Sequence, residues 1–213
     1  MELCECRGAA PRPVAANGRS ERAKRPGVRP LPLLLGRAVA GLVAVAAQRR
    51  ATDRIFAIGD LTDGPALAHK ATAEAEVAVD AACGRPAAFD PTALPMVVFS
   101  DPQVLSVGLT LDEAAKAGRE PSSFQFPLSA SGRARTLGET EGTVTVVADK
   151  EGTVIGIQAV GGHVAELAGE AVLAVETAAT VEDIAGTIHA HPTLGESLME
   201  AALGLAGRPI HTR

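Results

Sequence analysis

Tryptophan and tyrosine are missing from this sequence, and only five phenylalanines occur in 213 residues. Platforms that stack single-stranded nucleic acid need more rings than that. The net charge of −5 also argues against a nucleic-acid partner. Cysteine is scarce: Cys4, Cys6 and Cys83 are odd in number and form no disulfide framework. Cys4 and Cys6 stand too close for an ordinary bridge and are too few for a zinc site. Free thiols in a reducing cytoplasm are expected. Ala38 to Ala47 is an uninterrupted apolar run of ten residues. That is about half of what a membrane-spanning helix needs, so no membrane partner is expected.

The hydrophobic residues, 46% of the chain, suffice for a core. With so few rings, that core must be built from Ala, Val, Leu and Ile. Charge is divided unevenly along the chain. Residues 1–50 carry a net +7 and residues 51–213 a net −12. The first fifty residues repeat Pro, Gly and Arg without a hydrophobic period. They read as a poorly ordered or unrelated leader. An export signal fits poorly, because the apolar stretch starts late and Arg49-Arg50 follows it.

From residue 51 the pattern becomes regular. Arg54 to Ile58 predicts a short strand closed by Gly59-Asp60. Ala66 to Cys83 has helix-forming composition, with Gly84 as its stop. Met96 to Ser100, Val104 to Gly108 and Ser123 to Leu128 read as strands. Thr110 and Glu113 form a capping box for a helix that ends at Gly118. Gly142 to Ala148 and Thr153 to Val160 form a hairpin across Lys150-Glu151-Gly152. Val164 to Ala179 predicts a long helix, Val181 to Gly186 a shorter one, and Thr193 to Leu205 a terminal helix after Pro192. Strands followed by helices make an α+β domain, an antiparallel sheet flanked by helices.

Two constellations can carry chemistry. In the first, a strand delivers Asp60 beside a helix that opens near Ala66, Leu67, Ala68 and His69. The Asp can accept hydrogen bonds from ligand hydroxyls, and the free amides of the helix can face an electron-rich group. A plain turn with a capping Asp fits the same residues. The second is IHAHPTLGE, residues 188–196. Glu196, one turn into the predicted helix, can reach back to the His191 ring. A carboxylate on one ring nitrogen fixes the tautomer and leaves the other nitrogen to exchange a proton. A helix-capping role for His191 fits the same spacing. His189 and His191 as metal ligands lack a third ligand at a matching spacing.

Taken in order, these motifs resemble the C-terminal half of the pyridine nucleotide–disulfide oxidoreductases, dihydrolipoamide dehydrogenases above all. RIFAIGD with GPALAHKA is similar to the second flavin-binding motif of that family. LPMVVFSDPQVLSVGLT resembles the opening of its dimerisation domain. FPLSASGRARTLGETEG and VIGIQAVGGHVAELAGEAVLAVE resemble its interior, and IHAHPTLGE resembles its His-Pro-Thr signature. The resemblance implies a remnant of an FAD-binding α/β domain at residues 51–90 and a dimerisation domain at 91–213. It implies that Asp60 binds the ribityl and diphosphate region of FAD. Ala66, Leu67, Ala68 and His69 would lie under the pyrimidine edge of the flavin. It also implies that His191 exchanges a proton with a dithiol substrate, steadied by Glu196, in the site of a paired subunit.

The parent reaction implied is NAD-dependent oxidation of dihydrolipoyl groups through FAD and a redox disulfide. The sequence departs from that pattern. It has no Gly-x-Gly-x-x-Gly turn after a strand, for FAD or for NAD, and no Cys-x-x-x-x-Cys pair. The expectation is a truncated flavoprotein, inactive alone, with a partial FAD site. It would pair with itself through residues 94–213 or with a separate N-terminal half. A non-catalytic dimerisation module, or a fragment of another flavin disulfide reductase such as mercuric reductase, is the alternative. Mercuric reductases typically end in a cysteine pair, and this sequence ends GRPIHTR.

Overall fold

The computed structural model describes residues 45–212. The Cys4 and Cys6 positions and most of the leader lie outside them. Five strands form one sheet: β1 (Met96–Val98), β2 (Gln103–Gly108), β3 (Ser122–Pro127), β4 (Gly142–Ala148) and β5 (Val154–Gly161). Their spatial order is β1-β2-β5-β4-β3, and every pairing is antiparallel. The hairpin expected between Gly142 and Val160 forms its centre, with Val144 opposite Ala159 and Val146 opposite Ile157.

Side chains alternate across the sheet, as its period of two requires. Leu105, Val107, Phe126, Val144, Val146 and Ile157 face one side and are almost fully buried. Against them pack α4 (Ala168–Glu176) and α6 (Glu196–Leu205) through Ala171, Ala174, Leu198, Ala201 and Ala202, and α5 (Val181–Gly186) adds Val181 and Ile184 to the same core. A smaller cluster of Ala114, Val147 and Ile155 lies under α2 (Leu111–Lys116). On part of the sheet Val98, Val104 and Val160 sit side by side in register, each at least a third exposed.

Small residues let α6 approach the sheet. A Cβ on Gly204 would lie 2.2 Å from the Phe124 ring of β3. That glycine is there for contact distance rather than for its backbone angles.

Local signals account for most helix ends. The Thr110–Glu113 capping box closes in both directions. Helix α1 (Ala68–Ala82) stops at Gly84 (φ +74), whose amide meets Ala81 O while Arg85 N meets Asp80 O. This is a Schellman ending. Helix α4 ends in the same pattern, but with Ala178 in the left-handed region at φ +54.

Several expectations change; the helix expected from Ala66 starts at Ala68, after an extended Leu67, and the strand expected to reach Ser100 ends at Val98. Arg54 to Ile58 is not a strand. Phe56 makes one antiparallel bridge, to Arg50, and a ladder cannot extend from a single bridge. The helix foreseen over Val164 to Ala179 divides into a tight 3-10 turn, Val164–Leu167, and α4. The left-handed His163 (φ +59) enters it, and 3-10 turns commonly open helices. The terminal helix begins at Glu196, not Thr193. The Thr193 hydroxyl turns back to Ala190 O at 2.7 Å instead of capping the helix. Finally, a short helix α3 (Gly132–Leu137) went unforeseen, although Ser131 caps it and Gly138 stops it.

Two substitutions test this packing. A left-handed non-glycine residue costs roughly 1–2 kcal/mol, partly offset by the greater chain entropy of glycine. Ala178→Gly is therefore expected to stabilise the protein by about 1 kcal/mol and raise the Tm by about 2–4 °C in a thermal melt. Gly204→Ala is expected to displace Phe124 and destabilise by about 1–3 kcal/mol in denaturant titration.

Candidate functional site

The two predicted constellations occupy different places. Asp60 lies exposed on a 3-10 turn, Gly59–Leu61. That turn packs on α1, where Gly59 (φ +68) leaves only 3.2 Å between a would-be Cβ and the Ala71 Cβ. Ala66 and Leu67 are extended residues just before the helix, and Ala68 and His69 begin it. No side chain caps this end, so its first amides stay free. The His69 ring is 2.9 Å from Pro95 O.

Beneath the turn is a cluster that sequence reading missed. Glu74 is fully buried, and its carboxylate meets Lys70 Nζ at 2.9 Å and an Arg49 guanidinium nitrogen at 2.8 Å. It also accepts the Gly59 amide at 2.5 Å, while Lys70 Nζ reaches Thr62 Oγ1 at 3.0 Å. Burial pushes the Glu74 carboxyl toward its neutral form. Lys70, the Gly59 amide and Arg49 outweigh it and hold the group below the usual carboxylate range. The turn bearing Asp60 is thus pinned from inside by a satisfied buried charge.

The second constellation closes as foreseen. His191 Nδ1 is 2.9 Å from Glu196 Oε1. The other carboxylate oxygen accepts the Thr193 amide at 2.8 Å. Glu196 stands at the first position of α6 rather than one turn in, and the loop folds over it. The His191 side chain is 74% exposed and that of Glu196 only 19%. A carboxylate can only accept at Nδ1, which leaves Nε2 as the nitrogen that takes or gives a proton. Burial opposes ionisation of Glu196. The Thr193 amide and His191, with His211 farther off, overcome it and lower the pKa.

His191 lines a cleft of about 380 Å³ with Ser131, Arg135, Glu196, Ser197, Glu200 and His211. None of Asp60 or residues 66–69 reaches it. Glu200 is 2% exposed and lies one turn beyond Glu196 on α6. Its carboxylate holds the His211 ring at 2.5 Å and accepts the Ile210 and His211 amides at 3.3 Å each. The Glu196–Glu200 spacing was visible in the sequence, but the fold-back of residues 207–212 that brings His211 to it was not. A more open groove of about 760 Å³ between residues 48–50 and 84–88 gathers Arg50 and Arg85 but no acid–base pair. Among the described residues, no three His, Cys, Asp or Glu side chains converge as metal ligands. No described helix is long and apolar enough to cross a membrane.

The profile described as pyridine nucleotide-disulphide oxidoreductase, dimerisation domain, matches residues 94–202, just over half of the chain. The chain belongs to the pyridine nucleotide-disulphide oxidoreductase family. It is 52% identical over 166 residues to dihydrolipoyl dehydrogenase 2 of Haloarcula marismortui, covering 78% of this chain and 35% of that protein. It is 49% identical over 173 residues to the dihydrolipoyl dehydrogenase of Geobacillus stearothermophilus, covering 80% and 37%. Among solved structures it resembles LpdA from Mycobacterium tuberculosis, with TM-score 0.70 and 26% identity over 77% of this chain and 36% of that one. The chain thus spans about a third of the length of these relatives. The five-stranded antiparallel sheet with its helices is the dimerisation-domain fold of this oxidoreductase family.

Glu74 and Glu196, like the exposed Asp183 that takes the Thr180 amide and hydroxyl, are held below the usual carboxylate range and favour the folded state when ionised. Their contribution is present above the unfolded carboxylate range, near pH 4. It is lost as pH falls through that range and below it. Thermal melts between about pH 6 and pH 3 are expected to show a falling Tm, and Glu196→Gln is expected to flatten that slope.

Proposed function

We propose that this chain supplies the proton-exchanging histidine and the pairing surface of a dihydrolipoyl dehydrogenase-like flavoprotein. The single observation that carries the reading is the hydrogen bond from His191 to Glu196, in a chain of this family, at the edge of an open cleft. In this reading residues 51–90 are the end of an FAD-binding domain and 91–213 the dimerisation domain.

Nε2 of His191 accepts the proton as a dihydrolipoyl thiol becomes a thiolate. The imidazolium formed is steadied by Glu196, which the Thr193 amide keeps oriented. The proton can then leave to solvent, to which the ring is largely open. Asp60 would hold FAD through the ribityl and diphosphate region, and Ala66, Leu67, Ala68 and His69 would lie along its pyrimidine edge. The exposed Asp60, the uncapped start of α1 and the rigid turn beneath them fit such a ligand. Bound FAD would supply two-electron transfer between substrate sulfur and NAD. No Cys-x-x-x-x-Cys pair stands in this sequence to pass those electrons on. The remaining parts must come from an N-terminal half, and His191 serves the site of a paired subunit.

The exposed row of Val98, Val104 and Val160 supports association of the domain with a second copy. It also favours the alternative of a non-catalytic dimerisation module.

The purified chain is expected to show no dihydrolipoamide or diaphorase turnover; robust turnover by it alone would overturn the reading. An absorption spectrum after addition of FAD separates the alternatives, since a flavin-bearing protein retains the partial site and a colourless dimer is the module. In a chimaera of the N-terminal half of the Geobacillus relative with residues 51–213, His191→Gln is expected to lower kcat by about 10²–10⁴-fold.

A further inference from the structure

Two residues before His191, the His189 ring is not free. Its side chain is only 7% exposed. Nδ1 is 2.9 Å from Thr187 O, and Nε2 is 2.8 Å from Glu170 Oε1 on α4. Both nitrogens face oxygen atoms, so the ring stands between the backbone of its own loop and α4. The same ring lies against the start of α6, where a Cβ on Gly195 would meet its Cδ2 at 3.4 Å. Gly195 immediately precedes Glu196, which holds His191.

We propose that His189 is the positioning residue of this site. It ties the loop carrying His191 to α4 and braces the first turn of α6, so that Glu196 and His191 meet at a fixed distance. Neither His189 nor Glu170 touches the reacting nitrogen. Their effect reaches it through Gly195, Glu196 and the short loop between the two histidines. The inference rests on the reading of His191 as the proton-exchanging group. It concerns the orientation of the ring, which can be observed without turnover.

The test uses the whole chain labelled with ¹⁵N and the long-range ring ¹H–¹⁵N correlations of His191 at about pH 8, where an ordinary histidine is mostly neutral. In the unmodified protein the proton is expected on Nδ1 alone, facing Glu196. In His189→Ala both tautomers are expected, because the ring is no longer held against the carboxylate. Glu170→Ala is expected to do the same, and it alters a partly exposed side chain outside the loop, so it serves even where His189→Ala folds poorly. Glu170→Gln is expected to restore the single tautomer. Its amide can donate to Nε2 of a neutral His189 that still donates from Nδ1 to Thr187 O. A single Nδ1–H tautomer persisting in Glu170→Ala, or Glu170→Gln behaving like Glu170→Ala, overturns the proposal. Loss of catalytic relevance of His191 leaves this readout unchanged, so the two failures are distinguishable.

Discussion

The carboxylate of Glu196 is the point on which the site depends. One oxygen orders the loop by taking the Thr193 amide, and the other orients the His191 ring. A single side chain thus performs a backbone task and a chemical one. The backbone task restrains the chemical one, since the carboxylate cannot swing away from the histidine without releasing the loop. The carboxylate is mostly buried and the ring mostly exposed, so the held partner lies inside and the ring outside. In the proposed role, such an arrangement would offer a proton acceptor that is already ordered.

The segment that bears Asp60 is held by a different device. Here a buried cluster of Arg49, Lys70 and Glu74 fixes a turn that no strand supports. Removing one partner from such a cluster costs about 3–5 kcal/mol, because the other charge is left unpaired in the interior. Buried ions are a weak source of net stability, and their value here is geometric. They dictate where the Gly59 carbonyl and amide point, and with them the exposed carboxylate one residue on.

Much of this was legible because the decisive signals are local. Thr110 with Glu113, Gly84 after α1 and the turn at Lys150 to Gly152 each act within a few residues, and each was read correctly. The His191–Glu196 pair is also local, so its contact followed from spacing. Its helix position did not follow, because the Thr193 hydroxyl chose Ala190 over the helix amides. Ser131 and Gly138 carried a cap and a stop for α3, equally local, that went unread. The rest is tertiary. Arg54 to Ile58 has strand composition but lacks a partner to extend its pairing. Glu74 looked like one more helix-forming residue until Arg49, twenty-five positions earlier, proved to be its neighbour. His189 and Glu170 lie nineteen residues apart and meet only because α4 and the loop pack side by side.

Glu200 gives the last few residues unusual weight. Among the described residues, every hydrogen bond to that interior acid comes from Ile210 or His211. Trimming those positions would therefore not shorten a loose end. It would take all three of these donors from the Glu200 carboxylate, on the wall of the cleft that His191 also lines. Through these bonds the backbone that follows α6 is tied into that wall.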